Sequence, residues 1–323
     1  MSRKHHAPKL LVTAVSAFAL TTTATASHAA DYPGFTVSHY VQFEADSSQA
    51  DTTRARKAGC AAGGKGRDGP RFLFLGTQEK DQQLRPAGTR SDSPTGRVPT
   101  QRAVAIAEAW SAGFTECRTN GATARLALAV NNKEDGAPAG SKAGGEWAAL
   151  VDDAANAADN AAVTVIGGWD AEPDWSSPSW ARAWVKGFTQ RTDRQLYAAN
   201  AASGCPTYGS SSVSCSNGWD LSDMYHVSSG AAPTVSAVPQ IYRTDGVQAQ
   251  QWAAVSSWGA QHGKGPLRFA GSLSQRVACE QRGDCTGTDN TAKAAWNQLR
   301  TELNSHTETE VGALPAASDV RWW

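Results

Sequence analysis

The sequence predicts an α/β fold, a TIM-like (β/α)8 barrel, on three observations. Short apolar runs alternate with helix-length amphipathic stretches from Phe72 onward, the rhythm of a parallel sheet whose strands are each followed by a covering helix. Seven such runs can be counted, and each ends in polar or aromatic residues, as strands do when their C-terminal ends open on one mouth. The alternative, an open doubly wound sheet, lacks its glycine fingerprint, because no G-x-G-x-x-G follows the first run. The eighth strand is left irregular or incomplete by this reading. It comes from 311–314, from 320–323 or from the N-terminal segment.

Residues 1–29 read as a secretory signal peptide. Arg3, Lys4 and Lys9 form a basic start, 10–20 is apolar, and Ser27-His28-Ala29 has the small-x-small form of a cleavage site. The apolar run is too short to span a membrane, and no later stretch approaches about eighteen apolar residues. A secreted, extracellular protein with no membrane partner is expected. Loss of those three basic residues leaves 27 Lys and Arg against 30 Asp and Glu, a formal charge of −3. No basic cluster surrounds aromatic residues, which argues against a nucleic-acid partner.

Residues 30–70 form an N-terminal segment, with a possible strand at 35–43 and a polar, glycine-rich remainder expected to be irregular. Six cysteines in a secreted chain imply three disulfides. Cys205/Cys215 and Cys279/Cys285 lie close together in loops and are paired locally, which leaves Cys60 to tie the N-terminal segment to Cys117. No C-x2-C or histidine spacing suggests zinc, so neither a metal nor a cofactor is expected.

The barrel occupies 71–323. Its first strand, 72–75, ends at Gly76-Thr77-Gln78, and a long polar loop leads to a helix with Ala103, Ala107, Trp110 and Phe114 on one face. A second strand, 126–130, ends at Asn131-Asn132, and its helix covers 147–158. The third begins at Val163 and is followed by a helix in which Trp180, Trp184 and Phe188 recur every four residues, a core-facing stripe. Strands at 196–199, 223–227, 238–242 and 267–270 complete the seven, with helices at 247–261 and 291–303.

Residues 162–175, AVTVIGGWDAEPDW, hold the chemistry. The β-branched Val163, Thr164, Val165 and Ile166 make a buried strand, and Asp170 and Glu172 follow two residues apart. Residues i and i+2 of a strand share a face, so both carboxyls point the same way as Ile166 and Gly168. The strand ends converge on Gln78, Asn131, Asn132, Asp170, Glu172, Asn200, Tyr225, Gln240, Tyr242, Ser272 and Gln275, with Trp169 and Trp175 on the rim. Amides and carboxylates hydrogen-bond sugar hydroxyls, indoles stack on sugar rings, and glycosidic cleavage needs carboxyl groups. The structural alternative has Asp170 cap the loop before Pro173 and Glu172 pair with an arginine such as Arg243. Neither G-x-S-x-G nor a histidine grouping is present to suggest other chemistry.

The D-x-E at a strand end resembles the acid pair of glycoside-hydrolase barrels, including muramidases of the lysozyme type. The wider pattern is NN, GGWDAEP, a cysteine loop, PQIY and a helix beginning QAQQWA. It resembles a group of secreted bacterial glycoside-hydrolase-like proteins of unestablished activity. The first resemblance implies Glu172 as general acid and Asp170 as supporting carboxylate, although no third acid stands on a neighbouring strand end. The expected ligand is a polysaccharide or peptidoglycan-type glycan, cleaved or simply bound, and the protein is expected to be a monomer. Glu172, fixed by Pro173, is expected to be the more buried of the pair and to hold the proton.

Overall fold

The architecture is set by strands of alternating side chains, each followed by a helix that covers its outer face. The computed structural model describes residues 1–2, 31–44, 47–93 and 96–323, so residues 3–29 of the expected signal peptide lie outside the described residues. The strands are β1 (Thr36–Tyr40), β2 (Gly69–Glu79), β3 (Gln83–Arg85), β4 (Val98–Pro99), β5 (Ala124–Asn131), β6 (Val163–Asp170), β7 (Leu196–Ala198), β8 (Val235–Ala237), β9 (Ser272–Ser274) and β10 (Ala317–Trp322). Helices α1 (Ser48–Gly63), α2 (Gln101–Cys117), α3 (Gly140–Ala158), α4 (Pro178–Arg191), α5 (Leu221–Tyr225), α6 (Val247–Gln261), α7 (Arg276–Arg282) and α8 (Ala292–Asn304) accompany them.

Eight strands pair in the order β8-β7-β6-β5-β2-β1-β10-β9, every neighbour parallel. The ends of this path meet in an irregular seam. Ala237 N–H donates to Arg268 O at 2.8 Å, Leu273 N–H to Pro239 O at 2.8 Å, and Ile241 N–H to Leu273 O at 2.9 Å. The fold is therefore a (β/α)8 barrel with one weakly laddered joint, and the short antiparallel β3 and β4 extend from the top of β2. Inside it, Phe72, Phe74, Ala127, Ile166, Tyr197, Val238, Leu273 and Val320 form one buried cluster. Their neighbours of opposite parity, among them Leu73, Leu128, Val165 and Trp169, pack outward with Trp110, Trp147 and Trp184.

Four expectations change. The strands expected at 238–242 and 267–270 are instead β8, Val235–Ala237, and β9, Ser272–Ser274, with isolated bridges at Gln240 and Phe269. Residues 223–227 are helical: Asp220 Oδ1 accepts from Asp223 N–H at 2.8 Å, and Asp223 Oδ2 accepts from Asp220 N–H at 3.1 Å. This reciprocal cap starts α5, which runs on into a π-helical turn at His226–Gly230. The place of that strand is taken by using two of the candidate sources at once, the N-terminal β1 and the C-terminal β10, which lie side by side. The segment read as irregular holds the sixteen-residue α1, capped by Ser47. Its buried face is made of Asp51, Ala55, Gly59 and Gly63 rather than large apolar residues, so the usual stripe is absent. A Cβ on Gly59 would stand 2.0 Å from Trp110 O, and the two helices meet backbone to backbone. Cys60 and Cys117 bridge the same pair of helices, and Cys205–Cys215 and Cys279–Cys285 are joined as expected.

Candidate active site

Asp170 is the last residue of β6 and Glu172 follows on the loop before the 3-10 turn Pro173–Trp175. The chain between them is held by buried side-chain amides from the neighbouring strand ends. Asn132 Oδ1 accepts from Glu172 N–H at 2.9 Å while its Nδ2 donates to Glu172 O at 2.9 Å. On the other side Asn200 Oδ1 accepts from Ala171 N–H at 2.8 Å, and Asn200 Nδ2 donates to Ser228 Oγ at 3.0 Å. Both asparagines are fully buried. They act as strand neighbours where the ladder has run out, and so fix the direction in which the two acids point. Gln240 Nε2 completes the frame, donating to Asp170 Oδ1 at 2.7 Å and to Ala199 O at 2.9 Å.

Burial, and then the charge of Glu172, push the Asp170 carboxyl well above the usual carboxylate range, against the opposing Gln240 hydrogen bond. Burial raises Glu172 to about 7, opposed by Gln240 and Lys133. The pair therefore keeps a proton at neutral pH. Asp170 is the more buried of the two, at 8 % exposure, while Glu172 is half-buried. That reverses the expected order, because the amide clamp acts on Glu172's backbone and leaves its side chain toward the cleft. Arg243 is paired with Asp245 and so is not the partner of Glu172.

The acids open onto a cleft of about 480 Å³. Asn131, Trp175, Tyr242 and Gln275 line it, as the strand-end reading expected, together with Tyr40, Phe74, Lys133, Arg282, Asp284 and Trp322. Tyr40 Oη donates to Gln275 Oε1 at 2.8 Å, and the Tyr242 hydroxyl is buried close to Tyr40. The other expected residues lie elsewhere. Trp169 is fully buried in the helical layer, stacked on Trp184 with ring centroids 3.7 Å apart. Gln78 also turns outward, donating to Ala143 O at 2.9 Å and accepting from Trp184 Nε1 at 3.3 Å. A break in the β2–β5 register between Phe74 and Thr77 causes this: the shift brings Thr77 inward, where its hydroxyl donates to Asn131 Oδ1 at 2.9 Å. Tyr225 belongs to the helical layer, its hydroxyl bound to Lys264 O at 2.9 Å. Ser272 and Ser274 are buried within β9.

Sequence reasoning did not find Tyr40, Lys133, Gln275's partner or the Arg282–Trp322 wall. Tyr40 and Trp322 end β1 and β10, which only the folded barrel brings to the mouth, and Arg282 and Asp284 ride on the Cys279–Cys285 loop. The signal that existed was the aromatic residue closing each terminal strand.

No protein-family model matches the chain, and the search of curated proteins gave no match. Among solved structures, the chain is similar to a hyperthermostable endo-1,4-beta-D-mannanase from Thermotoga petrophila RKU-1, described with maltose and glycerol. The two are 10 % identical, with a TM-score of 0.37, over 89 % of this chain and 87 % of that one. A second structure, an endo-beta-1,4-mannanase from Thermotoga petrophila, is 12 % identical with a TM-score of 0.36, over 92 % of this chain and 69 % of the other. The fold assignment rests on the strand order and not on these likenesses. Among the described residues no group of three or more His, Cys, Asp or Glu is placed to hold a metal ion. Nor, among them, is any helix long and apolar enough to cross a membrane.

Proposed function

We propose that this protein is a secreted glycoside hydrolase acting on a cell-wall or environmental glycan, with Glu172 as proton donor and Asp170 as its partner. The observation that carries the reading is the carboxyl pair itself: two acids at the C-terminal mouth, raised by burial so that a proton is retained at neutral pH, and open to an aromatic-walled cleft. Glu172 faces the cleft and is raised by burial to about 7, which suits a general acid at neutral pH. Asp170, drier and held by Gln240, lines the same cleft as the supporting carboxyl. Among the described residues, the one further acid lining the cleft is Asp284, on the loop opposite. The attacking group is therefore a water on the open side or a group carried by the sugar. Three disulfides suit an oxidising, extracellular setting.

The second reading is a barrel that binds glycan without cleaving it, and it is favoured because, among the described residues, no opposing strand-end carboxyl lines the cleft. Turbidity loss of purified bacterial cell walls, followed beside glycan affinity, separates the two. Wild type should clear the walls, and Glu172→Gln should slow clearance by a hundredfold or more, in the range of about 10²–10⁴ for a lost general acid, with affinity kept. Binding by both forms with clearance by neither would establish the second reading.

A further inference from the structure

The strand-end set read from the sequence holds amides, carboxylates, hydroxyls and aromatics with no lysine or arginine, yet each of the two outward indoles of the mouth carries a cation. Lys133 Nζ sits 4.8 Å from the ring centre of Trp175, and the Arg282 guanidinium carbon sits 3.7 Å from that of Trp322. All four side chains line the cleft. Lys133 follows β5 and Arg282 follows β9, and these strands are four places apart around an eight-strand barrel. The cations therefore face each other across the mouth. Among the described residues neither has an ion pair.

The Arg282 side is also constructed. Its neighbour Gln281 accepts from Trp322 N–H at 2.7 Å and donates to Trp322 O at 3.2 Å. This is the same two-bond amide clamp that Asn132 places on Glu172. A side chain fixed to the end of a barrel strand in this way holds Arg282 over the indole. The guanidinium edge, which is the hydrogen-bonding part, is left for something else. Stacking on an aromatic face leaves the planar donors of an arginine free for a carboxylate.

We infer that the ligand of this cleft is an acidic glycan, whose sugar carboxylate is bound by Lys133 or Arg282 beside the indole that each of them covers. The inference rests on the glycan reading above and names the substrate class of the same site. The carboxylate belongs to a uronic acid or to a lactyl ether on the ring; the chemistry at the cation is shared. A neutral glycan would leave both cations in the cleft without a partner. Binding also couples to the acid pair. Lys133 is one of the charges that lowers both Asp170 and Glu172, so an anion docked on it lets Glu172 keep its proton to higher pH.

Calorimetric titration with four oligosaccharides tests this: tetragalacturonate, the glucosaminyl-muramic acid disaccharide, mannotetraose and chitotetraose. At about 0.02 M salt at least one carboxylated sugar should bind about tenfold tighter than either neutral one, and the preference should shrink at about 0.5 M as the charges are screened. Which carboxylated sugar wins assigns the source. Lys133→Met and Arg282→Met should each reduce the preference and together abolish it, whereas Lys133→Arg and Arg282→Lys should retain most of it. Melting curves identify a variant that fails to fold, and the charge-keeping pair then carries the comparison. Neutral sugars binding as tightly as acidic ones, or a preference that survives in the double variant, would overturn the inference and leave the glycan reading standing. If none of the four binds, the glycan reading falls and this inference falls with it.

Discussion

Asp170 and Glu172 stand on a wall held by buried amides, whereas across the cleft Arg282 ends a surface helix closed by a disulfide, and an exposed amide, Gln281, ties that helix to Trp322 at the end of β10. On the first wall Asn132, Asn200 and Gln240 are almost wholly buried and reach the chain around the acids through bonds of 2.7–2.9 Å. On the second, Arg282 and Asp284 are exposed, α7 is seven residues long, and Cys279–Cys285 closes a span of six. The difference matches what each wall has to do. Raised carboxyls need dryness and fixed direction, since water reaching them would restore their ordinary acidity. On the proposed reading, a wall that meets an acidic glycan needs its cations in solvent until the ligand arrives.

The largest effect should come from removing an amide of the first wall. Asn200→Ala leaves the Ala171 N–H buried without a partner and frees Ser228, and should cost about 3 kcal/mol in denaturant unfolding. Activity should fall further than stability explains, because the Asp170–Glu172 loop loses its support. An unchanged unfolding midpoint would mean that Asn200 is not holding this strand end. The opposite wall should yield less. Replacing Cys279 and Cys285 together by serine should cost about 2 kcal/mol for so short a span. It should weaken glycan affinity while leaving the titration of the acid pair in place. A loss of the raised carboxyl titration in that variant would show that the two walls are not independent.

The acid wall was legible because it is one continuous stretch. β-branched residues, two glycines and the D-x-E parity are enough to place both carboxyls on the inner face at the strand's end. The same parity puts Trp169 outside, between Asp170 and Gly168, and its place against Trp184 follows from counting by two along β6. Gln78 could not be placed this way. The irregularity between Phe74 and Thr77 changes the parity, and a register break of this kind is fixed by the partner strand and not by local sequence. The second wall was hidden because its parts come from β1, β10 and a loop, and are neighbours only after the barrel closes. The strand expected at 223–227 failed for a local reason that can be seen in hindsight: Asp220 and Asp223 have the spacing of a reciprocal helix cap.

A smaller effect, in stability against pH, sharpens the contrast. A carboxyl raised by folding stabilises the native state most when protonated, below its unfolded value near 4.5, and that contribution is lost as pH rises through the folded value of about 7. Asp170, shifted in the same direction, adds to the loss. The melting temperature of the wild type should therefore fall relative to Glu172→Gln between about pH 5 and about pH 8, with Glu172→Gln the more stable form at the upper end. Arg282→Met should leave this slope unaltered, since the second wall does not hold the proton. Parallel melting curves for wild type and Glu172→Gln across that window would show that the acid is not desolvated.

The central claim is that the Asp170–Glu172 pair keeps a proton at neutral pH, and a carbon-13 NMR titration of the Glu172 carboxyl, assigned through Glu172→Gln, tests it most directly. The account predicts a midpoint at about 7, with Asp170 titrating well above the ordinary aspartate range. Ordinary midpoints for both carboxyls, Glu172 near 4.5 and Asp170 near 3.8, would contradict it, because the cleft would then hold two free carboxylates and no acid to protonate a leaving sugar.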